Sequence, residues 1–185
     1  MGRPKQLETW QGQPLLRHVA ATALEAQLGP VIVVLGAHAD VVRPVIEDLA
    51  CVIATCPQWQ LGIGASIRTG VAAALAAPAV GGVILLLADQ PQVTASRLIE
   101  LAVCHRTSGR PIVAARYAGT AGVPAYFARP VSDALLALPV SEGCKAVIRR
   151  RPHEVALVDM AEAAFDVDTP DDLRRAEGET ILSAQ

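Results

Sequence analysis

At 185 residues the chain suits one domain with a single sizeable core, and its make-up of 52% hydrophobic, 3% aromatic and 18% charged residues calls for a core of Ala, Val, Leu and Ile, as in an α/β protein. A formal charge of -2 supplies no field for a nucleic-acid backbone. The apolar run Val80 to Ala88 stops at Asp89, short of the roughly 20 residues that span a bilayer, and the N-terminus lacks an apolar export segment, so the expectation is a cytoplasmic protein with no nucleic-acid and no membrane partner.

The chain opens M-G-R-P-K-Q-L, Met1 to Leu7. Gly2 lets backbone approach a ligand closely, Arg3 offers a fork of donors and Lys5 a compact cation, a trio suited to a nucleotide's phosphates. Such a loop normally follows a strand, and none lies before it here. From there the hydrophobic period alternates between its two regular values. A helix is predicted over Pro14 to Gln27, a strand over Val31 to Leu35, a helix over Ala39 to Leu49 and another over Ser66 to Ala77. A strand over Val83 to Leu87, a helix over Thr94 to Cys104 and a strand over Ile112 to Ala115 follow, then helices over Pro130 to Leu138 and Gly143 to Arg150. This alternation implies right-handed crossovers and a mostly parallel sheet with helices on both faces. In such a sheet ligands sit at the carboxyl ends of the strands.

Three polar stretches then become candidates. L-L-L-A-D-Q-P, Leu85 to Pro91, puts Asp89 directly after the most hydrophobic strand, where a carboxylate can hold a divalent metal such as Mg²⁺; capping of the helix near Thr94, or turn hydrogen bonding, is the plainer alternative. In F-D-V-D-T-P-D-D-L, Phe165 to Leu173, Asp166 and Asp168 share one face of an extended segment and repel unless a cation lies nearby. Thr169, Pro170, Asp171 and Asp172 read as a helix start. In Q-L-G-I-G-A-S-I-R-T-G, Gln60 to Gly70, Gly62 and Gly64 lead into Ser66 at a helix start, so free backbone N–H groups there could face an anion or a base edge; a plain glycine-rich connection is the alternative. Cys51, Cys56, Cys104 and Cys144 lack the paired spacing of a zinc or redox site and read as reduced thiols, and the dispersed histidines receive no role.

These stretches, with V-V-L-G-A at Val33 to Ala37, C-P-Q-W-Q-L-G-I-G-A-S-I-R-T-G at Cys56 to Gly70 and G-V-P-A-Y-F at Gly122 to Phe127, occur in the order seen in MobA-like nucleotidyltransferases. The chain resembles most the molybdenum cofactor cytidylyltransferases among them, over nearly its whole length. The resemblance implies a three-layer, Rossmann-like nucleotidyltransferase fold of the nucleotide-diphospho-sugar transferase type in one domain, residues 1–185. It further implies transfer of CMP from CTP to the phosphate of molybdopterin, with Mg²⁺ and release of pyrophosphate, and service to a molybdenum hydroxylase apoenzyme. On that resemblance Gly2, Arg3 and Lys5 contact the triphosphate and Lys5 neutralises charge as pyrophosphate leaves. Asp89 is then the principal metal ligand, Asp166 or Asp168 the second, and the segment from Gly62 through Ser66 to Arg68 lines the nucleotide or pterin pocket. Transfer to another phosphorylated acceptor, a catalytically impaired cofactor-binding maturation protein and an α/β domain without a nucleotide site are the competing readings. Two departures stand out. Relatives carry a strand and a stretch of the form L-A-A-G-x-S-x-R before M-G-x-P-K, and S-E-G-C-K at Ser141 to Lys145 replaces a G-D-x-G-A type segment. The expectation is that Met1 is an internal methionine and that the native chain extends upstream by a strand and its turn, roughly 15 residues.

Overall fold

The computed structural model describes residues 4–167 and residue 172. A short hairpin of β1 (Thr9–Trp10) and β2 (Gln13–Pro14) leads into α1 (Leu15–Glu25). Next come β3 (Ile32–Leu35), a single helical turn α2 (Ala39–Val42), β4 (Val52–Thr55) and α3 (Ile63–Leu75). The second half holds β5 (Gly82–Leu85), α4 (Ala95–Ser108), β6 (Ile112–Tyr117), β7 (Thr120–Ala128), α5 (Ser132–Leu136), α6 (Lys145–Arg150) and β8 (Val155–Asp159).

β3 and β4 form a parallel pair, and the other long strands form a sheet in the order β5-β7-β6-β8. Within that sheet β6 and β8 are parallel, and β7 runs against both β5 and β6. Every strand of it except β7 therefore points the same way. The reversal is made by Ala118 (φ 46°) and Gly119 (φ 72°), between the paired residues Tyr117 and Thr120. Two successive left-handed residues are what a tight hairpin requires.

Side chains alternate across this sheet. Ile112, Ala114, Val123, Ala125 and Phe127 face one layer with Val71 of α3, Leu135 of α5 and Ile148 of α6. Val113, Ala115 and Val158 face the other with Leu98 and Leu101 of α4. A third cluster joins Leu7, Leu16 and Ala20 to Val33, Leu35 and Ile46 beside the β3-β4 pair. α3 packs on β3, β4 and β5 alike, bridging the two sheets. Helix, sheet and helix thus make the three-layer α/β arrangement expected.

Several boundaries moved for local reasons. The helix predicted over Ala39 to Leu49 is only one turn, followed by a 3₁₀ turn at Arg43–Val45, because Pro44 cannot donate to the helical ladder. α4 runs on to Ser108 and stops where Gly109 turns left-handed at φ 66°. The strand β7 escapes a sequence reading because Gly122 and Pro124 interrupt its pattern.

Candidate active site

The ladder of β5 ends at Leu85, and Leu86 to Ala88 carry the chain on to Asp89 at the carboxyl end of the strand. The Asp89 carboxylate, 17% exposed, accepts a hydrogen bond at Oδ2 from the Lys5 ammonium. Lys5 is held in a 3₁₀ turn, Lys5–Leu7, whose Leu7 is buried in the cluster around α1 and β3. Two charged residues 84 positions apart thereby meet across a cleft of about 220 Å³ lined also by Gln6, Ile63, Leu87 and Ala88.

The second oxygen of the same carboxylate, Asp89 Oδ1, is buried and has no hydrogen-bond partner. A buried carboxylate oxygen without a donor is costly, and a hard divalent cation is the ligand such an oxygen suits. Nor is Asp89 spent as a helix cap. Thr94 holds the N-cap position of α4, and its hydroxyl pairs with Ser96 at 2.9 Å.

The acidic segment that follows β8 comes to the same place. Phe165 is half-buried, Asp166 exposed and Val167 buried, the alternation its sequence implied. Val167 packs with Trp10 and Leu15, and Phe165 stacks obliquely near Trp10 with ring centroids 6.1 Å apart. The Val167 N–H donates to the Asp89 carbonyl at 2.9 Å, which brings Asp166 beside Asp89. Gly2, Arg3 and Asp168, together with Thr169, Pro170 and Asp171, lie outside the described residues. Among the described residues no group of three or more His, Cys, Asp or Glu converges as a ready metal cage.

The glycine-rich stretch behaves differently from its sequence expectation. α3 begins at Ile63, so Ser66 lies within the helix and Gly62 is the residue that turns into it, at φ 127°. The amides expected to be free are engaged: Gly62 N–H donates to Trp59 O, Gly64 N–H to Val140 O and Ala65 N–H to Gly62 O. A Cβ on Gly62 would lie 2.4 Å from Val140 O, and one on Gly64 would lie 2.2 Å from Pro139 O. These glycines serve close packing of the loop over residues 139–142. The anion cradle expected at them is not formed, because the neighbouring backbone has taken their donors. Ile63, between them, still lines the cleft.

Around S-E-G-C-K, the Glu142 carboxylate accepts from Arg150 at 2.8 Å through one oxygen, and the other is buried without a partner. Burial pushes the Cys144 thiol up to about 11, so it is protonated at neutral pH and no nucleophile. Lys145 lies over the Tyr117 ring at 5.6 Å. The residue most clearly missed from sequence is Gln90. In D-Q-P it reads as turn chemistry, yet its side chain is 2% exposed and spans to two other segments.

The MobA-like NTP transferase domain matches residues 1–155. The chain belongs to the MobA-like NTP transferase family. As a MobA-like chain it is 31% identical over 189 residues to the nicotine blue oxidoreductase of Paenarthrobacter nicotinovorans, covering 95% of itself and 89% of that protein. The crystal structure of Rv0371c from Mycobacterium tuberculosis H37Rv superposes with a TM-score of 0.79 at 29% identity, over 95% of this chain and 89% of that one. A manganese complex of the same protein superposes at 0.75 and 29%, covering 93% and 90%. A nucleotidyl transferase from Methanothermobacter shares the fold, with a TM-score of 0.78 at 16% identity, over 97% of this MobA-like chain and 86% of that one. Among the described residues no helix is long and apolar enough to cross a membrane.

Proposed function

We propose that this chain transfers CMP from CTP to the terminal phosphate of molybdopterin, releasing pyrophosphate, and that its product serves a molybdenum hydroxylase. The observation that carries the reading is the half-buried Asp89, with one oxygen on Lys5 and the other unmatched, at a strand's carboxyl end beside a second acidic segment. The resemblance in motif order favours cytosine and a pterin acceptor, and the manganese complex of Rv0371c supports a divalent cation.

Asp89, with Asp166 or Asp168, would hold Mg²⁺. A bound Mg²⁺ there would supply positive charge to the triphosphate. The chain's own part is positional. Lys5, drawn from Asp89 toward the polyphosphate, neutralises charge that builds on the bridging oxygen. Gly2 and Arg3, which precede it in the sequence, would extend the anion contact, while Gly62, Ile63 and Ser66 at the start of α3 would border the nucleotide. An acceptor phosphate oxygen attacks the α-phosphorus in line. The new P–O bond forms as the bond to the β-phosphate bridging oxygen breaks, and the electron pair leaves with pyrophosphate. No covalent protein intermediate enters.

Pyrophosphate release tests this, measured with CTP, GTP and UTP in the presence of molybdopterin and Mg²⁺ or Mn²⁺. Release with CTP ahead of the others is expected. Faster turnover of GTP would overturn the base assignment alone, and no release with any nucleotide would overturn the transferase reading. The likeness to the nicotine blue oxidoreductase favours a second reading, oxidation–reduction at the same cleft. Consumption of a hydride donor without pyrophosphate release would establish it instead.

A further inference from the structure

The loop after β5 is tied to the acidic segment by two successive residues. Asp89 accepts at its carbonyl from Val167 N–H at 2.9 Å, and the next residue, Gln90, donates from Nε2 to Ala163 O at 2.7 Å. The same Nε2 reaches Val123 O in β7 at 3.4 Å, a longer and weaker contact. The two ties bracket residues 163–167, and Asp166 falls inside the bracket. Since both partners are carbonyls, the amide nitrogen has to be the donor.

That arrangement is expensive for packing alone. Gln90 is 2% exposed, its partners Val123 and Ala163 are 5% and 0% exposed, and its own Oε1 is buried with no hydrogen bond. A buried amide with an unmatched oxygen stabilises a fold less than an apolar side chain of the same length would. We infer that Gln90 is a positioning residue, whose bridge to Ala163 sets the Asp166 segment against Asp89 so that both carboxylates address one divalent cation. The inference rests on the metal-dependent reading above. Partners that orient metal ligands without touching the metal commonly govern affinity about 10- to 100-fold.

The test compares the full chain with its Gln90→Met variant, which keeps length and loses the donor. Mn²⁺ binding is followed by the loss of the free-ion electron paramagnetic resonance signal, and hydrogen exchange is followed by peptide mass spectrometry on the metal-free protein. Expected are Mn²⁺ affinity weakened about 10-fold or more, faster exchange over residues 163–167, unchanged exchange in β6, and a melting temperature no lower than the parent's. Should Gln90→Met fail to fold, Gln90→Asn, which keeps the amide but falls a methylene short, is read the same way. Unchanged Mn²⁺ affinity, or unchanged exchange at 163–167, overturns the positioning role while the metal-dependent reading survives. A parent chain that binds no Mn²⁺ overturns both.

Discussion

Two ion pairs stand at the same edge of the molecule, and they could hardly differ more in environment. β5, β6 and β8 point the same way, so Asp89 beyond β5 and the Arg116–Asp159 pair at the ends of β6 and β8 all emerge at carboxyl ends. Arg116 grips Asp159 in a two-pronged contact at 2.5 and 2.7 Å, with the side chains 52% and 74% exposed. The Lys5–Asp89 pair is 36% and 17% exposed, sits in a cleft and leaves one carboxylate oxygen unmatched. Placement at the carboxyl ends of the like-directed strands β5, β6 and β8 is thus a property of topology and shared by both pairs. What separates them is desolvation and incompleteness: the solvated pair has all its needs met, and the cleft pair does not.

The comparison breaks most readily at Asp89. Asp89→Ala should reduce metal-dependent pyrophosphate release by about 10³-fold or more with the melting temperature kept, since it removes a charge aimed at the reacting group. Equal loss on Asp159→Ala would show that the edge, and not burial, defines the site. Lys5→Gln should cost somewhat less, about 10²-fold in kcat/KM, falling mainly on kcat if its charge is used as pyrophosphate leaves. A change confined to KM would assign Lys5 to ground-state binding alone. Asp166→Ala and Asp168→Ala, read by Mn²⁺ titration, sharpen the pair into a metal site: one of them should weaken binding about 10-fold and the other far less. Indifference of both would leave Asp89 without a carboxylate partner.

The smallest effect belongs to the solvated pair. Arg116 holds the Asp159 carboxyl below its usual range, through the side-chain hydrogen bond first. A depressed carboxyl adds stability above its unfolded value, near pH 4, and loses it as pH falls through the folded one. Arg116→Ala should therefore lower the melting temperature slightly at pH 7, less so in high salt, and not at all once the carboxyl is protonated in acid. Activity should not move.

Much of the candidate site was legible locally. Asp89 is conspicuous because it ends an apolar run, and the alternation of Phe165, Asp166 and Val167 announces an extended segment with its acids on one side. The hairpin at Ala118-Gly119 was not legible, because Gly122 and Pro124 interrupt the pattern of the strand after it. Gln90 was not legible, because a glutamine before a proline looks the same whether it lines a turn or reaches into a core. Nor was the fate of Gly62 and Gly64: a glycine that bares its amide to an anion and one that admits a neighbouring backbone have the same letter.

The sequence by itself determined the layered α/β class, the strands β3, β5 and β6 and the carboxylate beyond the end of β5, since these follow from hydrophobic period, glycine and proline, all of which act within a few residues. Tertiary structure alone decided that Lys5 meets Asp89, that Val167 docks on the Asp89 backbone, that residues 139–142 pack against Gly62 and Gly64 and take the Gly64 N–H at Val140 O, and that Gln90 spans to Ala163. Each is a contact between segments far apart in the chain. Such contacts are set by how sheets and helices close over one another, and unmatched polar atoms can be recognised only once their neighbours are in place.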